Sequence, residues 1–252
     1  MPLAPGIEPD HRPRAPADIL SGHGALHEFY GRADADGASL CALAMVLAAV
    51  EGKRFTLWIR HAAQDRETGA PYPAGLWELG LDPADLLLLR VRDAACALQA
   101  GLEGARCAGI GAVIIEFRGE SKAYDLTASR RLALAARASG VRVLVVRAAA
   151  FHAPSAAQTR WQVNAVPSRA LAANAPGPPA FELRLLRARN GQEGLHYVLE
   201  WDRDARQFIS RSSPAAGDGP VRPAPLPGHV VPVSFDRSSA LQLEPIRERR
   251  LG

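Results

Sequence analysis

Lysine is nearly absent from this chain: of its 30 basic residues only Lys53 and Lys122 are lysines. Any chemistry that needs a lysine, from a phosphate grip to a Schiff base, must therefore use one of these two. Cysteine is scarce as well. Cys41, Cys96 and Cys107 are odd in number and show no C-x-x-C spacing, which argues against both a disulfide framework and a zinc site. The longest apolar run, Leu40 to Val50, is too short to span a bilayer. The Pro-rich start has no apolar signal-peptide core. These absences together lead to the expectation of a soluble cytoplasmic protein. A net charge of +4 is too small to announce a nucleic-acid binder. No G-x-S-x-G elbow supports a catalytic serine. His23 and His27 stand four apart and Glu28 follows, but Gly22 and Gly24 break the helix that would bring them to one metal.

What is present is a chain of 252 residues, 48% hydrophobic, which suffices for a large buried core. Residues 1–21, with five prolines, read as a mobile arm, and residues 211–252, with seven, as a Pro-rich tail. The domain lies between, over 22–210. Leu26–Tyr30 reads as a strand, and Ala38–Val50 as a helix apolar on nearly every face and therefore buried. Arg54–Arg60 reads as a second strand and a polar loop with Gly69, Pro71, Pro73 and Gly75 follows. "A-D-L-L-L-L-R-V" is a third strand. A helix capped by Asp93 leads to Ile110–Phe117, whose continuous apolar run marks a central strand. Asp125 or Thr127 caps a helix over Leu126–Ser139 that stops at Gly140, and Val141–Val146 is a fifth strand. Strands alternating with helices predict an α/β fold with a central, mostly parallel sheet flanked by helices. Strands at 160–163, 181–189 and 195–201, the last two joined by the hairpin turn "N-G-Q-E-G", extend it in antiparallel fashion.

Tyr30–Ala44, "Y-G-R-A-D-A-D-G-A-S-L-C-A-L-A", stands between a strand and a helix, where a phosphate-binding loop G-x-x-x-x-G-K-[ST] would stand. Gly37 and Ser39 occupy the positions of the final Gly and the hydroxyl. Ala38 replaces the lysine, Gly31 lies one residue too far upstream, and Asp34 and Asp36 put negative charge where phosphates would sit. Glu116, near the end of the central strand, takes the place of a magnesium-holding acid. The loop reads as vestigial, and no cofactor or metal is expected.

Further blocks stand out: "L-W-E-L-G-L-D-P-A-D-L-L-L-L-R" at 76–90, "D-L-T-A-S-R-R-L-A-L-A-A-R-A-S-G-V" at 125–141, "T-R-W-Q-V" at 159–163, and "F-E-L-R-L-L-R-A-R-N-G" with "Y-V-L-E-W-D" at 181–202. Together with the strand, degenerate loop and apolar helix they resemble ImuA, the RecA-like protein of the bacterial SOS mutagenesis cassette, a group also called SulA-like. The similarity covers about residues 22–210. It implies a RecA-like fold, a role in DNA-damage-induced translesion synthesis, and partnership with ImuB and, indirectly, an error-prone polymerase α subunit. Contact with RecA, the RecA–DNA filament or DNA itself is a further implication. Members of that group commonly lack a good phosphate loop. Where a RecA-type ATPase has a catalytic glutamate after its second strand, this chain offers Arg60, His61, Ala62 and Ala63. The resemblance therefore implies a non-catalytic adaptor. The alternative is an unconventional ATPase that borrows Lys53.

Residues 118–169 hold nine basic side chains against Glu120 and Asp125. Arg130, Arg131 and Arg137 belong to the helix expected there, Arg130 and Arg137 on one face. They are candidates for binding DNA or a partner, or else a solvated face. Arg160 and Trp161 have the composition of an interface anchor, while the alternation of Trp161 with Val163 equally fits a core strand. In the tail, "Q-L-E-P-I" at 242–246 is a poor match to clamp-docking peptides.

Overall fold

The short apolar stretch after Gly24 becomes strand β1 (Leu26–Tyr30), wholly buried in the computed structural model, which describes residues 24–49, 55–175, 177–191 and 193–211. The expected N-terminal arm, all but the first residue of the expected tail, and Lys53 lie outside the described residues. Eight more strands follow: β2 (Phe55–His61), β3 (Leu86–Val91), β4 (Ile110–Arg118), β5 (Arg142–Ala148), β6 (Thr159–Ala165), β7 (Ala180–Ala188), β8 (His196–Asp202) and β9 (Gln207–Arg211). All nine join one sheet in the order β3-β2-β4-β5-β1-β6-β7-β8-β9. From β3 through β6 neighbouring strands run parallel; from β6 onward they run antiparallel. The expected α/β architecture with its antiparallel extension is thus present, with β9 added as a strand that short polar Gln207–Arg211 did not announce.

Helix α1 (Gly37–Ala49) buries Leu40 and Leu43–Ala48 against one face of the sheet, as its all-round apolarity requires. The polar loop after β2 holds two short helices, α2 (Gln64–Thr68) and α3 (Pro73–Glu78), the second opened by Pro73 at its first turn. They are too short to show a hydrophobic period, which is why the sequence reads as loop. On the other face lie α4 (Ala94–Arg106) and α5 (Leu126–Ser139). Asp93 caps α4 through the Cys96 N–H, and Asp125 caps α5 through the Ala128 N–H, which settles the choice between Asp125 and Thr127. Gly140 closes α5 in the left-handed conformation at φ 80°. Gly101 and Gly104 let α4 lie close on the sheet, since a Cβ at either would come within 2.4 Å of Ile115 or 2.6 Å of Leu57.

Alternation along the strands divides the core. Phe29, Trp58, Ile114, Leu144 and Trp161 pack toward α1, while Leu26, Ile59, Val113, Ile115 and Val145 pack toward α4 and α5. The carboxyl ends of the parallel strands then converge beside the start of α1, placing the loop after β1 next to Glu116 of β4 and Arg60 of β2.

Candidate functional site

The loop after β1 is closed on its own carboxylate. Asp36 accepts the Ala33 N–H at 2.8 Å, and a Cβ on Gly31 would come within 2.4 Å of the Asp36 Cβ. Gly31 is therefore required to let Asp36 fold back over it. Asp34–Asp36 forms one tight 3-10 turn, and Gly37 already has helical dihedrals as α1 begins. A phosphate cradle works by leaving its backbone N–H groups open to an anion; here one of them is held by the chain's own side chain. Ser39 stands half-buried in the first turn of α1.

Arg118, at the end of β4, spans the loop, pairing with Asp34 at 2.9 Å and with Glu67 of α2. Beneath it Glu116, its side chain 10% exposed, is fully engaged. The Trp58 indole and the Gln64 amide donate to it at 3.2 and 3.0 Å, and Arg60 Nε lies 3.3 Å away. Burial pushes the Glu116 carboxyl above its ordinary range, and Arg60 opposes that shift. Arg60 itself is 3% exposed and reaches Asp65 at 3.1 Å, the Thr68 hydroxyl at 3.0 Å and the Gly69 carbonyl at 3.3 Å. Its contact with Glu116 is an ion pair and not an aligned hydrogen bond, because Nε has no partner in hydrogen-bonding geometry. The guanidinium also lies 5.1 Å from the Trp58 ring.

Beside these groups opens a cleft of about 500 Å³, walled mainly by apolar side chains such as Ala38, Cys41, Met45, Tyr72 and Leu76. Burial, and next the charge of Glu116, pushes the Cys41 thiol well up, so the thiolate a nucleophile needs is disfavoured. The two cations of the cleft, Arg60 and Arg118, each face two carboxylates, which leaves little positive potential for a polyphosphate.

A second polar cluster, which sequence reasoning missed, lies on the other face of the sheet. Glu28, wholly buried, accepts the Tyr30 hydroxyl at 2.7 Å and the Tyr124 hydroxyl, with Arg160 Nε at 3.6 Å. Arg147 lies over both rings, 5.3 and 5.5 Å from their centroids, and reaches Glu120 at 3.1 Å. Only the alternation of Glu28 within an apolar strand hinted at a buried charge.

The remaining candidates separate cleanly. Arg130, Arg131 and Arg137 are exposed on α5. Arg160 is 8% exposed and turns inward to Ser155, and Trp161 is wholly buried with its indole on the Thr159 hydroxyl at 2.7 Å. The core alternative therefore holds for Trp161, and neither side chain is available as an interface anchor. Of the nine basic residues in 118–169, Arg142, Arg147 and Arg160 are buried and engaged within the fold, and Arg118 is taken up at the surface by Asp34 and Glu67. Lys122, Arg130, Arg131, Arg137 and Arg169 face solvent. Sequence charge counting overstated the patch for that reason. His27 is wholly buried against Thr159. Among the described residues no group of three His, Cys, Asp or Glu could hold a metal, and no helix is long and apolar enough to cross a membrane.

No protein-family model matches the chain, and no curated protein matches it either. Among solved structures, the RadB recombinase is similar in fold, with a TM-score of 0.51 at 17% identity over 74% of this chain and 93% of that one. The fold is RecA-like.

Proposed function

We propose that this chain is a RecA-like adaptor without ATPase activity that acts in DNA-damage-induced translesion synthesis, binding ImuB and, through it, serving an error-prone polymerase α subunit. The motifs at 76–90, 125–141, 159–163 and 181–202 support the assignment to the ImuA group, and the RecA-like fold agrees with it. One observation carries the non-catalytic part. The groups that a nucleotide site would use are already engaged by the chain itself: the loop N–H of Ala33 by Asp36, and the Glu116 carboxylate by its ion pair with Arg60. A lysine is missing at Ala38, and an arginine stands where a catalytic acid would be needed.

Two measurements test the reading. Calorimetry with ATP and Mg²⁺ is expected to show no saturable heat up to about 1 mM; binding abolished by Ser39→Ala would favour the ATPase reading instead. Co-expression with ImuB alone, and separately with RecA alone, is expected to give stable copurification with ImuB. Failure with ImuB under both low and moderate salt would remove the adaptor role.

A further inference from the structure

On α4 and α5 the charges are unevenly committed. Every acidic side chain there has an internal partner: Asp93 caps Cys96, Asp125 caps Ala128, and Glu103 pairs with Arg106 at 3.0 Å. Arg130, Arg131 and Arg137 are exposed and make no side-chain hydrogen bond or ion pair among the described residues. Leucines of α5 also stand in water, Leu134 among these arginines and Leu126 at the first residue of the helix. Leu134 is 61% exposed and Leu126 57%. At 3.6 residues per turn Leu134 lies on the crest of the helix, with Arg130 and Arg137 to one side and Arg131 to the other. Beyond Arg131 the surface drops into a groove of about 390 Å³ between the two helices, floored by Leu98, Leu102, Ala128 and Leu132.

We propose that this groove docks an acidic amphipathic helix of a protein partner. An apolar stripe at i, i+3, i+4 and i+7 would cover Leu98, Leu102 and Leu132 in the groove, while carboxylates on its α5-facing side would meet Arg131 and, across the exposed Leu134, Arg130 and Arg137. The leucines decide against nucleic acid, since a phosphate backbone gains nothing from two exposed aliphatic side chains. An extended strand is disfavoured because a groove between helices offers no free backbone edge. Exposed leucine framed by unpaired arginine fits the anatomy of a protein interface, an apolar centre with a charged rim. The proposal rests on the adaptor reading only for the existence of a partner.

The probe is a displayed library of stapled helical peptides about four turns long, selected on the full chain. Enriched peptides are expected to carry one apolar stripe flanked by Asp and Glu. In anisotropy titrations the best of them should weaken about tenfold with Leu134→Gln, one such contact being of order 1.4 kcal/mol. Arg131→Glu with Arg137→Glu should weaken it at least as much and make the salt dependence shallower. Both variants lie on exposed positions, and unchanged urea midpoints will show that they fold. No enrichment, enrichment of neutral or basic peptides, or binding indifferent to both variants would overturn the proposal. So would an oligo(dT) strand that binds and is lost with the arginines while Leu134→Gln has no effect. ImuB copurification that survives both groove variants would overturn this site and leave the adaptor role standing.

Discussion

Replacing Arg60 by Met tests whether the cleft is held together by a structural ion pair. The side chains of Arg60 and Glu116 are 4% and 10% exposed, so neither charge has much water to fall back on. Met fills most of the stem volume and leaves Glu116 with neutral donors alone, Trp58, Gln64 and the Cys41 thiol. Removing one partner of a buried pair costs about 3–5 kcal/mol, a large share of a typical domain's stability. Arg60→Met should therefore lower the urea midpoint strongly with an unchanged slope, followed by Trp fluorescence. Glu116→Gln keeps the shape and should cost only about 1–3 kcal/mol. The double variant Arg60→Met/Glu116→Leu should be more stable than the losses of Arg60→Met and of Glu116→Leu measured alone sum to, because no charge is then left buried alone. The pH dependence has a definite sign. Burial already raises the Glu116 pKa, and loss of Arg60 removes the attraction that opposed it. In Arg60→Met the folded state then holds the proton more tightly than the unfolded chain does. Its deficit should be largest at neutral pH and shrink as the pH falls and Glu116 is neutralised. A deficit below about 1 kcal/mol, or strict additivity in the double variant, would refute the reasoning. ImuB copurification should survive Glu116→Gln under the adaptor reading.

His27 is buried, and burial together with the nearby Arg142 charge lowers its pKa from 6.5 to about 3. It stays neutral in the fold while the unfolded chain takes up a proton, so its stabilisation is full above pH 6.5 and lost as the pH falls toward 3. Going from pH 7 to pH 5 should cost about 2 kcal/mol through this residue, and His27→Gln should flatten that part of the urea-midpoint profile. In the loop, Asp36→Ala removes the bond to Ala33 and should destabilise by about 1 kcal/mol, whereas Gly31→Ala must displace Asp36 and should cost about 1–3 kcal/mol; equal, negligible effects on thermal unfolding would contradict the closed loop. Trp161→Ala should cost about 3–5 kcal/mol as a core truncation, and a near-neutral result in chemical unfolding would mean that the side chain is not packed as described. Arg130→Ala with Arg137→Ala should stay within about 0.5 kcal/mol of the parent in the same assay while weakening partner binding.

The sequence by itself determined what depends on near neighbours. The alternation of strand and helix, the buried character of α1, the central position of Ile110–Phe117, the cap at Asp93 and the stop at Gly140 all follow from periods and end signals within a dozen residues, whereas the choice of Asp125 over Thr127 as a cap needed the structure. The missing lysine at Ala38 was equally plain. The short helices α2 and α3 and the edge strand β9 escaped because they are too brief or too polar to carry a period. Tertiary structure alone decided how the charges were used. Arg60 meets Glu116 only because β2 and β4 are adjacent and in register, and Arg147 reaches Tyr30 and Tyr124 only because β5 lies beside β1. Asp36 occupies its own loop because Gly31 leaves it room. Which arginines remain for a partner was thus hidden in the sequence, since a charge is spent or free according to what packs against it, often tens of residues away.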